Sequence, residues 1–187
     1  MTDVTNRAAA THREIGRRQT ADGDARYLLI RRHYDATVAD VWDACTNPDR
    51  ISRWLMPISG DLRLGGTYQL EGNAGGTILR CEPPRLLEAT WVFGEPKPGE
   101  SSVVEVRLSP DANGGTILQL DHTAVFDLPD DFWLANIGDF GAGWETVTTA
   151  LANHLDRPGD SQPAEHDGST ASAWSEIATA GLDRTAP

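Results

Sequence analysis

GDFGAGWETVTTALANHL, residues 138 to 155, is the stretch from which the rest of the chain can be read. Phe140, Trp144, Val147, Leu151 and Leu155 stand three or four residues apart, the spacing of one face of an α-helix. Asp139 is placed to cap the start, and Pro158 and Gly159 stop the helix. Gly138, Gly141 and Gly143 each weaken the first turn by about 1 kcal/mol relative to Ala. They also let the chain bend or approach another backbone closely there. No other helical pattern in the chain is as long or as clean, and it follows a run of strand-like segments. We expect a sheet that wraps around this helix. A helix lying flat on one face of a sheet would show the same periodicity.

Upstream, inward-facing apolar residues recur with the period of two that marks strands. Leu118, Leu120, His122 and Ala124 share one side of 116–124, and Val104, Val106 and Leu108 one side of 102–109. Leu87, Ala89, Trp91 and Phe93 alternate along 86–93. Thr77 to Glu82 reads as a strand broken by Pro83-Pro84, and Gly60 to Glu71 as a strand bent at Gly65-Gly66. Residues 125 to 137, with Phe126, Phe132 and Trp133, read as a connector into the long helix.

Further back, Thr37 and Asn47-Pro48 open two short helices. The first carries Val38, Val41, Trp42 and Cys45 on one face, and the second Ile51, Trp54 and Leu55. Arg26 to Tyr34 is a strand with Leu28, Ile30 and Tyr34 on one side, and its Arg31-Arg32-His33 cluster suits a solvated edge. Residues 13 to 19 form a possible extra strand, hairpinned through Asp22-Gly23. The expected division is an N-terminal extension over 1–25, one domain over 26–157, and a linker with a short C-terminal helix over 158–187. That helix rests on Trp174 and Ile177 at helical spacing, and a disordered tail is the alternative.

The chain has 187 residues and a net charge of −12, with one lysine, Lys97. So acidic a chain has no basic face for nucleic acid and none for anionic membranes. No apolar run reaches the length of a spanning helix. The first residues, MTDVTNRAAATHRE, lack the apolar core of a secretion signal, so the protein is expected to be cytoplasmic. In that compartment Cys45 and Cys81 are expected as free thiols rather than a disulfide. The five histidines show no metal-ligand spacing, and neither a phosphate loop nor a nucleophile elbow is present. We expect no metal and no cofactor.

The order of elements is strand, two short helices, about five strands, one long helix. RHYDATVADVWDACTNPDRISRWLMP (32–57), GDLRLGGTYQL (60–70), ILRCEPPRLLEATW (78–91), LQLDHTAVF (118–126) and GWETVTTALANHL (143–155) carry a resemblance over about residues 26–157. It resembles the helix-grip fold of the START and birch-pollen-allergen (SRPBCC) superfamily. Within it, the chain is similar to the bacterial branch named for the C-terminal domain of the activator of the heat-shock ninety ATPase. The resemblance implies an α+β domain whose curved antiparallel sheet, of about six strands, grips the long helix.

It also implies a cavity between sheet and helix that binds lipids, hormones or polyketides. We therefore expect a binding module for an apolar or amphipathic small molecule, monomeric or homodimeric. Candidate liners on the short helices and early strands are Trp42, Trp54, Tyr68, Thr77 and Leu79. Trp91, Phe93, Val104, Leu118, Leu120 and His122 follow on the later strands, with Trp144, Val147 and Leu151 on the long helix. The tryptophans can equally be solid core, and His122 a satisfied core group. Two other readings stand beside this one: a cyclase- or dehydratase-like enzyme with His122 as general base, and a chaperone-associated interaction domain.

Overall fold

The computed structural model describes residues 11–95, 100–125, 130–159 and 170–182. β1 (His12–Thr20) and β2 (Gly23–Tyr34) form a hairpin. α1 (Val38–Thr46) and α2 (Pro48–Trp54) follow. Five strands come next in order: β3 (Ile58–Gly60), β4 (Thr67–Leu70), β5 (Gly75–Glu82), β6 (Leu86–Thr90) and β7 (Ser101–Pro110). β8 (Thr116–Val125) leads to α3 (Asp130–Asp156), and α4 (Ala171–Leu182) lies beyond it. The strands make one curved, open antiparallel sheet in the order β1-β2-β8-β7-β6-β5-β4-β3. α3 lies on its concave face, tied there by the Tyr34 hydroxyl, which donates to the Thr148 carbonyl at 2.9 Å. The fold is the expected α+β helix grip.

The short helices begin where the sequence places them. The Thr37 side chain accepts from the Asp40 N–H, and Asn47 from the Asp49 N–H with Pro48 behind it. They close one end of the grip. Trp54 donates its indole N–H to the Ala44 carbonyl at 3.1 Å. Arg50 binds Asp40 and Asp43 and reaches buried His154 of α3 at 3.2 Å.

Several expectations change. The sheet has eight strands rather than about six, because β1 is a full strand and a short β3, Ile58–Gly60, precedes β4, to which the strand expected over 60–71 contracts. β2 is therefore not an edge: β1 covers one side and β8 the other. Its polar side chains are engaged across the fold, Arg32 with Thr149 and His33 with Asp111. The polar edge strand is β1, HREIGRRQT, and the opposite edge, β3, is only three residues long. Both are usual protections of an open sheet edge. α3 starts at Asp130, nine residues before Asp139, so 130–137 is helix and not connector. Phe126 lies outside the described residues.

The early start puts Gly138 and Gly141 inside the helix, and packing explains them. A methyl group at Gly141 would overlap the Trp174 indole, and one at Gly138 would press on Ser175 and the Ala171 carbonyl. The two glycines are the seat of α4. Trp174 is fully buried there, and its indole N–H donates to Glu145 at 3.0 Å. Glu145, 7% exposed, also accepts from Arg13 of β1, so one carboxylate joins β1, α3 and α4. Among the described residues, no helix is long and apolar enough to cross a membrane.

Candidate functional site

The sheet's inward rows shrink toward one end. On β8 they run Leu118, Leu120, His122, Ala124, and on β7 Leu108, Val106, Val104, Ser102, in register with each other. Where Leu faces Leu the core closes. Where Ser102 faces Ala124, beneath the first half of α3, space is left. A cavity of about 470 Å³ lies there. That is within the range of small-molecule sites, about 300–1,000 Å³. Its walls are largely aromatic: Trp91 and Phe93 after β6, Trp133, Phe140 and Trp144 on α3. A second, apolar space of about 140 Å³ lies deeper, between the sheet, α2 and α3. Trp91, Trp144 and Val147 line both, so they form the partition. The Trp91 and Trp144 rings are 4.7 Å apart, centre to centre.

The polar centre of the larger cavity is His122. Trp144 donates its indole N–H to Nδ1 at 2.9 Å, and Nε2 lies 2.7 Å from the Ser102 hydroxyl. Burial pushes the imidazole down to about 4, against the pull of neighbouring Asp121. Asp121 itself points to the outer face, bound by Arg18 at 2.8 Å and Thr123 at 2.7 Å. A Ser–His pair invites comparison with a catalytic dyad, but its polarity is inverted. In a catalytic triad the third group accepts the Nδ1 proton, leaving Nε2 free to take the serine's. Here Trp144 donates to Nδ1, so the neutral ring keeps its proton on Nε2. His122 in this state does not activate Ser102. Cys45, at the inner cavity, is a free thiol that burial pushes up to about 12, far from a nucleophilic thiolate.

The expected liners divide four ways. His122 and Phe93 line the larger cavity, Phe93 at 63% exposure near its mouth. Trp91, Trp144 and Val147 line both cavities. Trp54, Tyr68, Val104, Leu118, Leu120 and Leu151 line only the inner one. Trp42, Thr77 and Leu79 line neither. Trp42 is half-buried against the main core. Thr77 pairs with Thr67 on the outer side, while Ile78 turns inward at 2% exposure. Alternation from Ile78 then leaves Leu79 outside, 41% exposed, and a bulge between Ile78 and Arg80 keeps Arg80 outside as well. The Tyr68 hydroxyl is spent on the Thr90 carbonyl at 2.7 Å. Sequence reasoning missed Ser102, although it stands two residues before Val104 on the same face. It also missed Trp133, read as connector, and Asn73, Glu95 and Glu100 at the cavity.

Comparison with known proteins agrees with this fold. The model of the family "Activator of Hsp90 ATPase homolog 1-like protein" matches residues 35–156. Two structures of CalU16 from Micromonospora echinospora, one crystal and one solution, are 40% and 37% identical to the chain. They span 91% and 97% of it and 99% and 100% of CalU16, each with a TM-score of 0.72. The Aha1 dimer from Colwellia psychrerythraea, 16% identical, has a TM-score of 0.57 over 71% of this chain and 98% of its own. At that identity it shows the fold alone. A search of curated proteins returns no match. The matched residues, the CalU16 likeness and the gripped helix together show that the chain belongs to the Activator of Hsp90 ATPase homolog 1-like family, within the SRPBCC type of fold.

Proposed function

We propose that the protein binds an apolar or amphipathic small molecule in the cavity between the sheet and α3. The supporting observation is the space of about 470 Å³ left under aromatic walls, with polar groups at only a few points. Apolar walls supply affinity, at about 25 cal/mol per Å² buried before the costs of association. Sparse polar groups orient the guest. That balance supports micromolar binding of a lipid-sized or polycyclic molecule. The inverted Ser–His polarity favours binding over hydrolysis at this site.

Native mass spectrometry of protein from its own source should show a co-purified small molecule. Gly143 gives a clean control. It lines the cavity, and a Cβ built on it would meet nothing within 4 Å. Gly143→Leu should leave stability unchanged or raise it by up to about 1 kcal/mol, since Leu is a far better helix former. The same change should weaken ligand binding at least about tenfold by occupying the guest's volume. Titration by tryptophan fluorescence and thermal melts read the two effects separately. Undiminished affinity in a stable Gly143→Leu protein would place the ligand elsewhere.

A further inference from the structure

The hydrogen bonds around His122 have a direction that one end imposes. An indole nitrogen can only donate, so Nδ1 of His122 accepts from Trp144 and carries no proton. The neutral ring's proton is then on Nε2, which donates to the Ser102 oxygen at 2.7 Å. Ser102 has accepted, and its own proton must turn elsewhere. Among the described residues no protein acceptor is found for it. Ser102 is 8% exposed and lines the cavity. The relay Trp144 to His122 to Ser102 therefore offers one oriented donor to whatever occupies the space.

We infer that the guest is a planar aromatic molecule that presents a hydrogen-bond acceptor, such as a ring carbonyl, to Ser102 and carries no anionic group. This rests on the binding function proposed above and names its ligand class. The aromatic part follows from the walls. Trp133 and Phe140 stack at 5.8 Å and 20°, and Trp91 lies against both Phe93 and Trp144. Flat rings fit between such faces by offset stacking or edge contact. The charge part follows from the acids. Glu95, Glu100 and Asp139 line the cavity, and no Arg or Lys does among the described residues. The Arg26 guanidinium stands 6.0 Å from the Trp133 ring centre, outside the lining. Among the described residues a carboxylate guest would meet three acidic side chains and no lining cation, so fatty acids are poor candidates.

Three tricyclic probes of nearly equal shape test this by calorimetry: fluorenone, fluorene, and a fluorenone carboxylate. The full-length protein should bind fluorenone about 3- to 10-fold more tightly than fluorene, the worth of one ordinary hydrogen bond. Ser102→Ala should erase that preference. Trp144→Phe keeps an aromatic wall but removes the N–H that sets the ring's tautomer, so the ketone preference should shrink with Ser102 still present. The carboxylate should bind more weakly than fluorenone. Equal binding of ketone and hydrocarbon, or a preference that survives Ser102→Ala, overturns the donor assignment. A carboxylate that binds as well as the ketone overturns the charge assignment. If no tricycle binds while a different molecule co-purifies, this inference falls and the binding function stands. If no tricycle binds and nothing co-purifies, both fall.

Discussion

Trp174→Ala is expected to cost about 3–5 kcal/mol, the usual range for emptying a buried indole site. The side chain is fully buried over Gly138 and Gly141. Its N–H also satisfies Glu145, a carboxylate with 7% exposure that would be left with Arg13 alone. Should α4 undock as a unit, the loss is capped at its docking free energy, and amide exchange would rise across 171–182 only. Urea denaturation gives the total. A change below about 1 kcal/mol would mean that α4 contributes little. The glycine beneath supplies a check of sign. In an open helical site Gly→Ala gains about 1 kcal/mol. At Gly141 the new methyl overlaps the indole, so Gly141→Ala should destabilise, opposite to substitution at Gly143, two residues on.

Acid should unfold the protein partly through His122. Its ring takes a proton near 6.5 when unfolded and only near about 4 when folded, because burial disfavours the cation. Between those values the unfolded chain holds more protons, so stability falls as the pH falls. The contribution is fully present above pH 6.5 and gone below about 4. Its size is at most about 3 kcal/mol, less where cavity water screens the ring. His154 acts in the same direction, lowered first by its burial and then by Arg50 and Arg53. The comparison that isolates His122 is therefore wild type against His122→Gln, in urea titrations from pH 7.5 to 4.5. The variant should start less stable and lose less. Parallel curves would remove His122 from the account.

Local patterns were enough to read the grip itself. The i, i+3, i+4 spacing in 138–155 and the alternation in β7 and β8 are properties of neighbouring residues. So are the Thr37 and Asn47 caps, which hold in the structure. What was misread depended on distant partners or on strand phase. Gly138 and Gly141 signal a weak helix start to any local rule, and only the Trp174 ring, over thirty residues away, shows why they sit mid-helix. Thr77 and Leu79 share one face of β5, but apolar residues stand on both faces there, and it is Ile78 that turns inward. The candidate site was legible where it coincided with the core: His122, Trp91 and Trp144 were found by phase. Ser102, first residue of the expected strand 102–109, was passed over because that strand's inward face was read from its apolar residues alone. Its importance comes from the His122 tautomer, which Trp144 sets from another element.

The strand order also constrains how the chain is assembled during synthesis. β3 through β8 can pair in the sequence in which they are made, but β2 needs β8, whose first residue, Thr116, comes long after Tyr34. At translation rates of about 5–20 residues per second, the β1–β2 hairpin waits for roughly 5–20 s with Leu28 and Ile30 uncovered. Arg13 waits longer, until Glu145 is made. Closing so long a loop carries an entropic cost of about 4 kcal/mol, so the hairpin docks late and loosely held until α3 follows. A nascent chain stalled before β8 exposes an apolar, unpaired strand face, the kind of surface that holdase chaperones bind. Limited proteolysis of ribosome-stalled chains reads that interval directly, with Leu28–Ile30 cleavable before β8 emerges and protected afterwards.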